Sequence, residues 1–139
     1  MRIIPKKKSE VTLRERGLRL TGPRRVILEV VRSTTAHPSA AQVYARVRRR
    51  LPRVSLATVY RNLRSLVEEG WLVPVEVPGE PARYEPAGKR HHHHFRCRRC
   101  DRLFELGGCR RPVPRAPKGF VVESHELTLY GRCASCAGP

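Results

Sequence analysis

Residues 91–100, HHHHFRCRRC, place four consecutive histidines directly before a Cys-x-x-C pair. A second Cys-x-x-C pair, Cys133 to Cys136, lies close to the end of the sequence. Imidazole and thiolate are the side chains that bind transition metals best near neutral pH. This stretch therefore predicts that metal binding decides how its half of the chain folds.

The two pairs together supply four thiols: Cys97, Cys100, Cys133 and Cys136. A two-residue spacer lets both thiolates of a pair point at one ion from a tight turn, and two such turns complete a tetrahedron. A closed site of this kind has no free coordination position, so we expect a structural zinc ion. The alternative is a pair of redox motifs, which work at the start of a helix after a strand. The pattern predicts neither pair at such a place.

The histidine run predicts two further pairs of ligands, because alternate residues of a β-strand face opposite ways. His92 and His94 would share one face, and His91 and His93 the other. More distant residues offer additional ligands: His37, Glu85, Glu105 and His125. Imidazoles mixed with carboxylates suit iron, manganese or zinc, and hold the metal more exchangeably than four thiolates. A surface run with no ligand role is the alternative.

The composition limits the function classes. The 139 residues allow one domain or two small ones, and the formal net charge of +17 favours a polyanionic partner, which for a soluble protein usually means nucleic acid. A basic surface of the thermophile type is the alternative.

No apolar run could span a bilayer and the N-terminal residues MRIIPKKKSE lack the apolar core of a signal peptide, so we expect no membrane partner and a cytoplasmic protein. In that compartment cysteines more often bind metal than form disulfides.

Helical spacing of apolar residues predicts three or four helices in the first half of the chain. A short one covers residues 11–16, a second covers residues 21–31, a third begins after Ser39 and stops at Pro52, and the last covers residues 56–69. Two strands follow, residues 71–77 and 82–85, joined by a Pro-Gly turn. Helices followed by a two-stranded ribbon are typical of the winged-helix fold, whose helix before the ribbon enters the DNA major groove.

The second half shows strand patterns instead. Residues 94–97 and 102–106 predict two strands that flank the first Cys-x-x-C pair, and residues 120–131 predict one or two more. Between them, three prolines and three glycines in residues 107–119 exclude a regular helix.

Six motifs occur in order between Arg16 and Cys136: LRLTGPRRVILEVV, AHPSAAQVYARV, VSLATVYRNLRSLVEEGWL, RYE, HHHHFRCRRC and HELTLYGRCASC. With them the chain resembles the ferric uptake regulator family of metal-responsive bacterial repressors. The resemblance implies an α+β protein: an N-terminal winged helix-turn-helix DNA-binding domain over residues 1–86, a hinge over residues 87–90, and a small C-terminal α/β dimerisation domain over residues 91–139 with the four-cysteine zinc. It also implies a homodimer that binds double-stranded, A·T-rich palindromic promoter DNA.

The same resemblance implies a regulatory metal site beside the hinge, for Fe²⁺, Mn²⁺ or Zn²⁺. Its ligands would be His37, Glu85, His92 and His94, with Glu105 as a fifth. An ion joining both halves would fix the angle between them, and in a dimer that angle sets the spacing of the two recognition helices. Metal would then act as corepressor, because it binds the DNA-competent geometry better.

By similarity, residues 56–69 form the recognition helix. Tyr60 and Arg61 would reach base edges, since a Tyr ring packs on a thymine methyl and Arg recognises guanine or a narrow A·T minor groove. Phosphate contacts are expected from Ser55, Thr58, Asn62 and Arg64. Core packing is the alternative role for Tyr60, but its neighbour Val59 is the better core candidate.

A third site of the family would use His91, His93 and His125 with an acidic residue. Here the chain departs from the pattern, because no acidic residue lies between Glu105 and Glu123. Cys109 is a candidate replacement that would favour zinc. The alternative is a lost or three-ligand site.

The motifs of this chain resemble more than one branch of the family, and these branches respond to different signals. AHPSAAQVY and VSLATVYRNLR look like the peroxide-sensing branch, where His37 and His92 would be the oxidisable pair, although that branch favours Asp where this chain has Glu85 and Glu105. His93 stands where iron sensors often have Asp, which looks more like the zinc-sensing branch. We rank peroxide or iron sensing above zinc sensing.

Two other classes compete with a repressor. A zinc hydrolase or deaminase would need H-E-x-x-H, or H-x-E with P-C-x-x-C, and the chain has neither, so we expect no enzyme. A zinc-ribbon protein that binds RNA or the ribosome would explain the charge and the cysteine pairs. It would not need a wing, a capped recognition helix or a His/Glu site.

Overall fold

The computed structural model describes residues 22–109 and 114–138. The helix predicted for residues 11–16 lies outside these ranges. The chain divides into two compact units, with the boundary between Lys89 and Arg90. Within the described ranges, no helix has the length and apolar character needed to cross a membrane.

The first unit contains three helices and a two-stranded ribbon. The helices are α1 (Gly22–Arg32), α2 (Ala40–Arg50) and α3 (Leu56–Glu68), and the antiparallel strands are β1 (Leu72–Val75) and β2 (Arg83–Pro86). This is the predicted winged-helix order. The first strand is shorter than its sequence pattern, which extended from residue 71 to residue 77.

Serine side chains start two of the helices. Ser39 and Gln42 form a reciprocal capping box at the start of α2, and Ser55 accepts a hydrogen bond from the backbone N–H of Thr58 at the start of α3. Each contact satisfies a backbone donor that the first helical turn leaves without an intrahelical partner. The starts of α2 and α3 are therefore fixed by local sequence.

One apolar core holds the three helices together. Its fully buried members come from matching faces of all three: Ile27, Val31, Val43, Val47, Val59, Leu63 and Leu66. Trp71 and Leu72 extend this core to the ribbon. The helical spacing of these residues places their side chains on the inner face of each helix, which leaves the outer face of α3 available to a ligand.

The loop between α1 and α2 is tied to strand β2. The backbone N–H of Tyr84 donates to the carbonyl oxygen of Pro38 at 3.0 Å, and the Arg83 guanidinium donates to the carbonyl oxygen of His37 at 3.3 Å. Ser39 also forms an isolated β-bridge with Arg83. These contacts hold His37 against the strand that contains Glu85.

The second unit is a three-stranded sheet followed by a short helix. Its strands are β3 (His92–Cys97), β4 (Leu103–Gly107) and β5 (Thr128–Gly131), and its helix is α4 (Ala134–Ala137). Strand β3 lies in the centre, antiparallel to β4 and parallel to β5. Gly131 permits the close approach of β5, because a Cβ atom there would lie 3.1 Å from the ring of Phe95.

One expectation for this half is confirmed only in part, and another was wrong. One strand forms in the predicted region 120–131, but it covers only residues 128–131; Leu127 adds one hydrogen bond, its carbonyl oxygen accepting from the backbone N–H of His94 at 3.1 Å. Phe120 and Val121 are accordingly 70% and 86% exposed. The second Cys-x-x-C pair also differs from expectation, since Cys133 is the N-cap of helix α4, directly after a strand.

The core predicts how the first unit responds to mutation. Leu63→Ala should destabilise that unit by about 2–5 kcal/mol, because it removes a fully buried side chain from close-packed surroundings. Leu56→Ala is the matched control, since Leu56 begins the same helix and is 41% exposed. Denaturant unfolding followed by the fluorescence of Trp71 measures both; equal losses would contradict the assigned core.

Candidate metal sites and DNA-binding helix

The first cysteine pair lies in a tight turn between β3 and β4. Cys97 ends β3, and its carbonyl oxygen accepts a hydrogen bond from the backbone N–H of Asp101 at 3.0 Å. Asp101 closes the turn with a positive φ of 61°, a conformation that aspartate tolerates better than most residues. Its carboxylate accepts a hydrogen bond from buried Arg96 at 3.0 Å. Hydrogen bonds of both the backbone and the side chain of Asp101 therefore stabilise the turn.

The second cysteine pair meets the first. Cys97, Cys100, Cys133 and Cys136 each offer a sulfur atom, and these atoms all lie within 4.8 Å of one another. The sulfur atoms of Cys100 and Cys133 are 3.8 Å apart, too far for a disulfide. Zinc–sulfur bonds of about 2.3 Å place two ligands of a tetrahedral ion roughly 3.8 Å apart. The four thiols fit zinc, and the clustering of both pairs argues against two separate redox motifs.

The four thiols of the cluster differ in their pKa values. Hydrogen bonds from the backbone N–H groups of Cys133 and Cys100 lower the pKa of Cys97 to about 6. The pKa of Cys136 is raised to about 12, chiefly by its side-chain hydrogen bond with Cys133 and by burial. Four thiolates at this separation repel one another unless a positive ion lies between them. Zinc supplies that charge and keeps all four deprotonated.

The histidine run divides between two faces, as strand alternation predicts. The rings of His92 and His94 lie 4.9 Å apart, and those of His91 and His93 lie 4.6 Å apart. The Nδ1 atom of His92 is 2.7 Å from the carbonyl oxygen of Arg90. Because a carbonyl oxygen only accepts, Nδ1 has the hydrogen, and the Nε2 atom of neutral His92 has the lone pair that a metal would need.

In the first unit, His37 and Glu85 form a buried pair. The Nε2 atom of His37 is 3.2 Å from a carboxylate oxygen of Glu85, and the two residues are only 2% and 6% exposed. The Lys89 ammonium lies 3.6 Å from the same oxygen. A buried imidazole beside a buried carboxylate is a combination that binds divalent metals, and the sequence separation of 48 residues hides it from local pattern analysis.

Glu105, the predicted fifth ligand, lies on β4. It is the antiparallel cross-strand partner of His94, and it is exposed. The register of β3 and β4 therefore places Glu105 beside His94.

A third group of ligands collects on the opposite face of β3. His91, His93, Cys109 and His125 each offer one donor atom, and these four atoms lie within 4.8 Å of one another. Burial lowers the pKa of His93, with further contributions from His91 and His125, so this imidazole is held in the neutral form that binds metal. No acidic residue of the described chain belongs to this group.

Helix α3 presents a polar outer face. Tyr60 is 50% exposed while its neighbour Val59 is fully buried, which confirms the predicted orientation. Arg61 and Arg64 are exposed as well. The outer face therefore offers one aromatic ring and two guanidinium groups to a ligand.

Thr58 organises the first turn of this face. Its hydroxyl lies 2.8 Å from the Ser55 hydroxyl and accepts a hydrogen bond from Arg61 at 3.3 Å. The amide of Asn62 donates to the carbonyl oxygen of Thr58 at 2.8 Å. All six residues predicted to contact DNA thus lie at the start or along the length of α3.

A winged-helix unit joined to a unit with a closed four-thiol metal site defines a class of metal-containing DNA-binding regulators. Comparison with known proteins narrows the class. The model of the ferric uptake regulator family matches residues 15–130. The chain is 33% identical over 130 residues to the peroxide operon regulator of Bacillus subtilis, covering 91% of this chain and 89% of that protein. It is 38% identical over 132 residues to a ferric uptake regulation protein of Brucella abortus, covering 87% and 89%.

Solved structures agree with these relatives. A zinc-bound manganese uptake regulator superposes with a TM-score of 0.70 and 26% identity, covering 86% of this chain and 94% of that one. The chain therefore belongs to the ferric uptake regulator family, whose members are metal-responsive transcriptional regulators.

The four-thiol site gives a direct prediction. Cys100→Ser should remove zinc from this site and unfold the second unit, because metal binding at such sites contributes about 10–16 kcal/mol in small peptides. Metal analysis and amide hydrogen exchange across β3 to β5 measure the two effects. Cys109→Ser is the matched control and should keep the zinc held by the four thiols. If the protein kept its hydrogen-exchange protection after all metal was removed, the four thiols would not be a structural zinc site.

Proposed function

We propose that this chain is a homodimeric, metal-dependent repressor whose sensing site comprises His37, Glu85, His92 and His94, with Glu105 as an additional ligand. The observation that supports it most is the buried His37–Glu85 pair, a nitrogen and an oxygen donor 3.2 Å apart. The 92/94 pair of β3 supplies two more imidazoles, and the Arg90 carbonyl orients one of them. Each half of the ligand set is preformed within its own unit.

The residues explain how metal would control DNA binding. His37 and Glu85 belong to the DNA-binding unit, whereas His92, His94 and Glu105 belong to the other unit. An ion held by both sets limits the orientation of the recognition helix α3. In a dimer, two such helices must match half-sites about one helical turn apart, at roughly 34–36 Å. Metal therefore favours DNA binding, because it binds more tightly when the recognition helices have the spacing of the half-sites than when they have any other spacing.

The outer face of α3 supplies the DNA contacts of this proposal. Tyr60 and Arg61 contact base edges of an A·T-rich palindrome, and Ser55, Thr58, Asn62 and Arg64 bind phosphates. The net charge of +17 strengthens association with DNA and makes it salt-dependent. The exposure of Tyr60 and the contacts around Thr58 support this assignment.

The regulatory metal follows from the donor set. Imidazole and carboxylate suit Fe²⁺, Mn²⁺ and Zn²⁺, and a site without thiolate holds the metal exchangeably. We infer that the signal is iron or peroxide, with His37 and His92 as the oxidisable ligands and zinc sensing as the second candidate. The similarity to a peroxide operon regulator and to ferric uptake regulation proteins supports this order.

The regulator works in the cytoplasm, where its DNA is, and has no catalytic role. An RNA-binding zinc-ribbon protein is disfavoured by the capped α3 helix and the β1–β2 ribbon, which form the elements of a DNA-binding winged helix. A zinc hydrolase or deaminase that uses the histidine run is disfavoured because the chain has neither H-E-x-x-H nor H-x-E with P-C-x-x-C.

His37→Ala should abolish metal-dependent DNA binding without unfolding either unit, because it removes one ligand while the zinc of the four thiols stays. The measurement is fluorescence anisotropy of an A·T-rich duplex, selected by the chain from a random pool, with and without Mn²⁺ as a redox-stable probe. Glu123→Gln is the control, since Glu123 is exposed and belongs to none of the ligand groups. Equal wild-type affinity with and without metal would refute the mechanism.

Arg61→Ala should lower discrimination between the selected duplex and a variant with one base pair changed by about 1–3 kcal/mol at the contacted position. Lys7→Ala is the comparison, because a lysine that binds only phosphate weakens all sequences evenly and reduces the salt dependence. The assignment of Arg61 to base contacts fails if both variants weaken all duplexes by the same factor.

Peroxide should add one oxygen atom to His37 or His92 in protein loaded with Fe²⁺, and should leave Mn²⁺-loaded protein unchanged. Peptide mass spectrometry locates the added mass. His125 provides an internal control, since it lies in a different ligand group. Unmodified His37 and His92 after loss of DNA binding would favour zinc sensing instead.

A further inference from the structure

Lys89 places a positive charge at the carboxylate of the His37–Glu85 pair. Its ammonium lies 3.6 Å from Oε2 of Glu85, and the Nε2 atom of His37 lies 3.2 Å from the same oxygen. One carboxylate oxygen therefore has both an imidazole nitrogen and an ammonium group beside it. A divalent ion bound by His37 and Glu85 would have to compete with the ammonium for this oxygen.

The local backbone brings Lys89 to this position. Strand β2 ends at Pro86, and residues 87 and 88 form a turn in which Gly88 has a positive φ of 87°. In an extended chain, residues four apart lie about 13 Å from each other. The turn redirects the chain after the strand, so the Lys89 side chain reaches back to Glu85. Both residues belong to the first unit, so their contact is part of that unit's own structure.

Burial makes this ion pair stronger than a pair on the open surface. The side chains of Glu85 and Lys89 are 8% and 31% exposed. A buried carboxylate is costly unless a cation or hydrogen bonds compensate its charge. In the metal-free protein, the Lys89 ammonium supplies part of that compensation. Because the lysine side chain keeps contact with water, it can leave the carboxylate when another cation arrives.

We propose that Lys89 sets the metal affinity of the sensing site, because its ammonium holds the Glu85 carboxylate and a metal ion must displace it. The inference rests on the sensing site proposed above and adds to it a residue that binds no metal. A zinc–carboxylate bond of about 2.0–2.2 Å would leave an unmoved ammonium within roughly 6 Å of the ion. At that range the two cations repel each other, so metal binding includes the cost of moving the lysine.

The ammonium also affects which ions bind. A monovalent cation such as Na⁺ gains no more at the carboxylate than the ammonium that it replaces. A divalent ion has twice the charge, so its attraction to the carboxylate exceeds that of the ammonium. Lys89 therefore excludes monovalent cations and raises the concentration of divalent metal at which the site fills. The regulatory metal then stays exchangeable with the cell's supply.

The test is the Mn²⁺ affinity of the full chain with zinc on its four thiols, measured by competition with a fluorescent chelator. Binding at the sensing site is the part of the titration that His37→Ala removes. Lys89→Gln should bind Mn²⁺ about three- to ten-fold more tightly than the wild type, because it removes the competing charge. The difference should shrink at high salt, which screens partly exposed charges.

Two lysine variants serve as controls. Lys89→Arg keeps the positive charge and should bind Mn²⁺ with an affinity close to that of the wild type. Lys118→Gln removes the same charge from an exposed position in the second unit and should leave the affinity unchanged. A lysine that only stabilised the fold would not tighten metal binding when it was removed, so the direction of the change identifies the role of Lys89.

The outcomes separate this inference from the sensing site itself. If Lys89→Gln bound Mn²⁺ no more tightly than the wild type while His37→Ala lost binding, Lys89 would not set the affinity and the sensing site would stand. If His37→Ala kept the wild-type affinity, the sensing site would be wrong and the role of Lys89 with it.

Discussion

The closeness of four thiols in the second unit is the constraint on which its structure depends. Cys133 and Cys136 follow β5, and they must meet Cys97 and Cys100 at the end of β3. The thiolates repel one another without a cation, so zinc and fold are linked. The ion holds the chain's last strand parallel to the central strand, a pairing that no tight turn could produce.

Strand β3 presents candidate metal ligands in three directions. Its last residue belongs to the four thiols, one histidine face offers His92 and His94, and the other offers His93 together with His91, which directly precedes the strand. A strand can do this because its side chains alternate, so adjacent histidines can belong to different sites. The donor types separate the roles. Four thiolates hold zinc permanently, whereas imidazoles with carboxylate bind an ion that exchanges with the cell's supply.

The sequence predicted most of the fold because its strongest signals are local. Helical spacing located α1, α2 and α3, and Ser39 and Ser55 marked two of their starts. The strand predicted over residues 120–131 forms only over residues 128–131, where it pairs with β3; Phe120 and Val121 are exposed, so a longer pairing would gain little from burial of their side chains. The contact between Cys109 and His125 joins residues that are 16 apart in sequence, so the sequence could name Cys109 only as a candidate. The His37–Glu85 pair needed the family's motifs, because its two members lie in different elements.

Thermodynamic linkage gives the most direct measurement of the proposed coupling between metal binding and DNA binding. If metal tightens DNA binding by a given factor, DNA must tighten metal binding by the same factor. Mn²⁺ affinity of the zinc-containing dimer should be measured by competition with a fluorescent chelator, with and without the selected A·T-rich duplex. We predict equal factors, and their loss in His37→Ala. A Mn²⁺ affinity that does not change when DNA is bound would contradict the account.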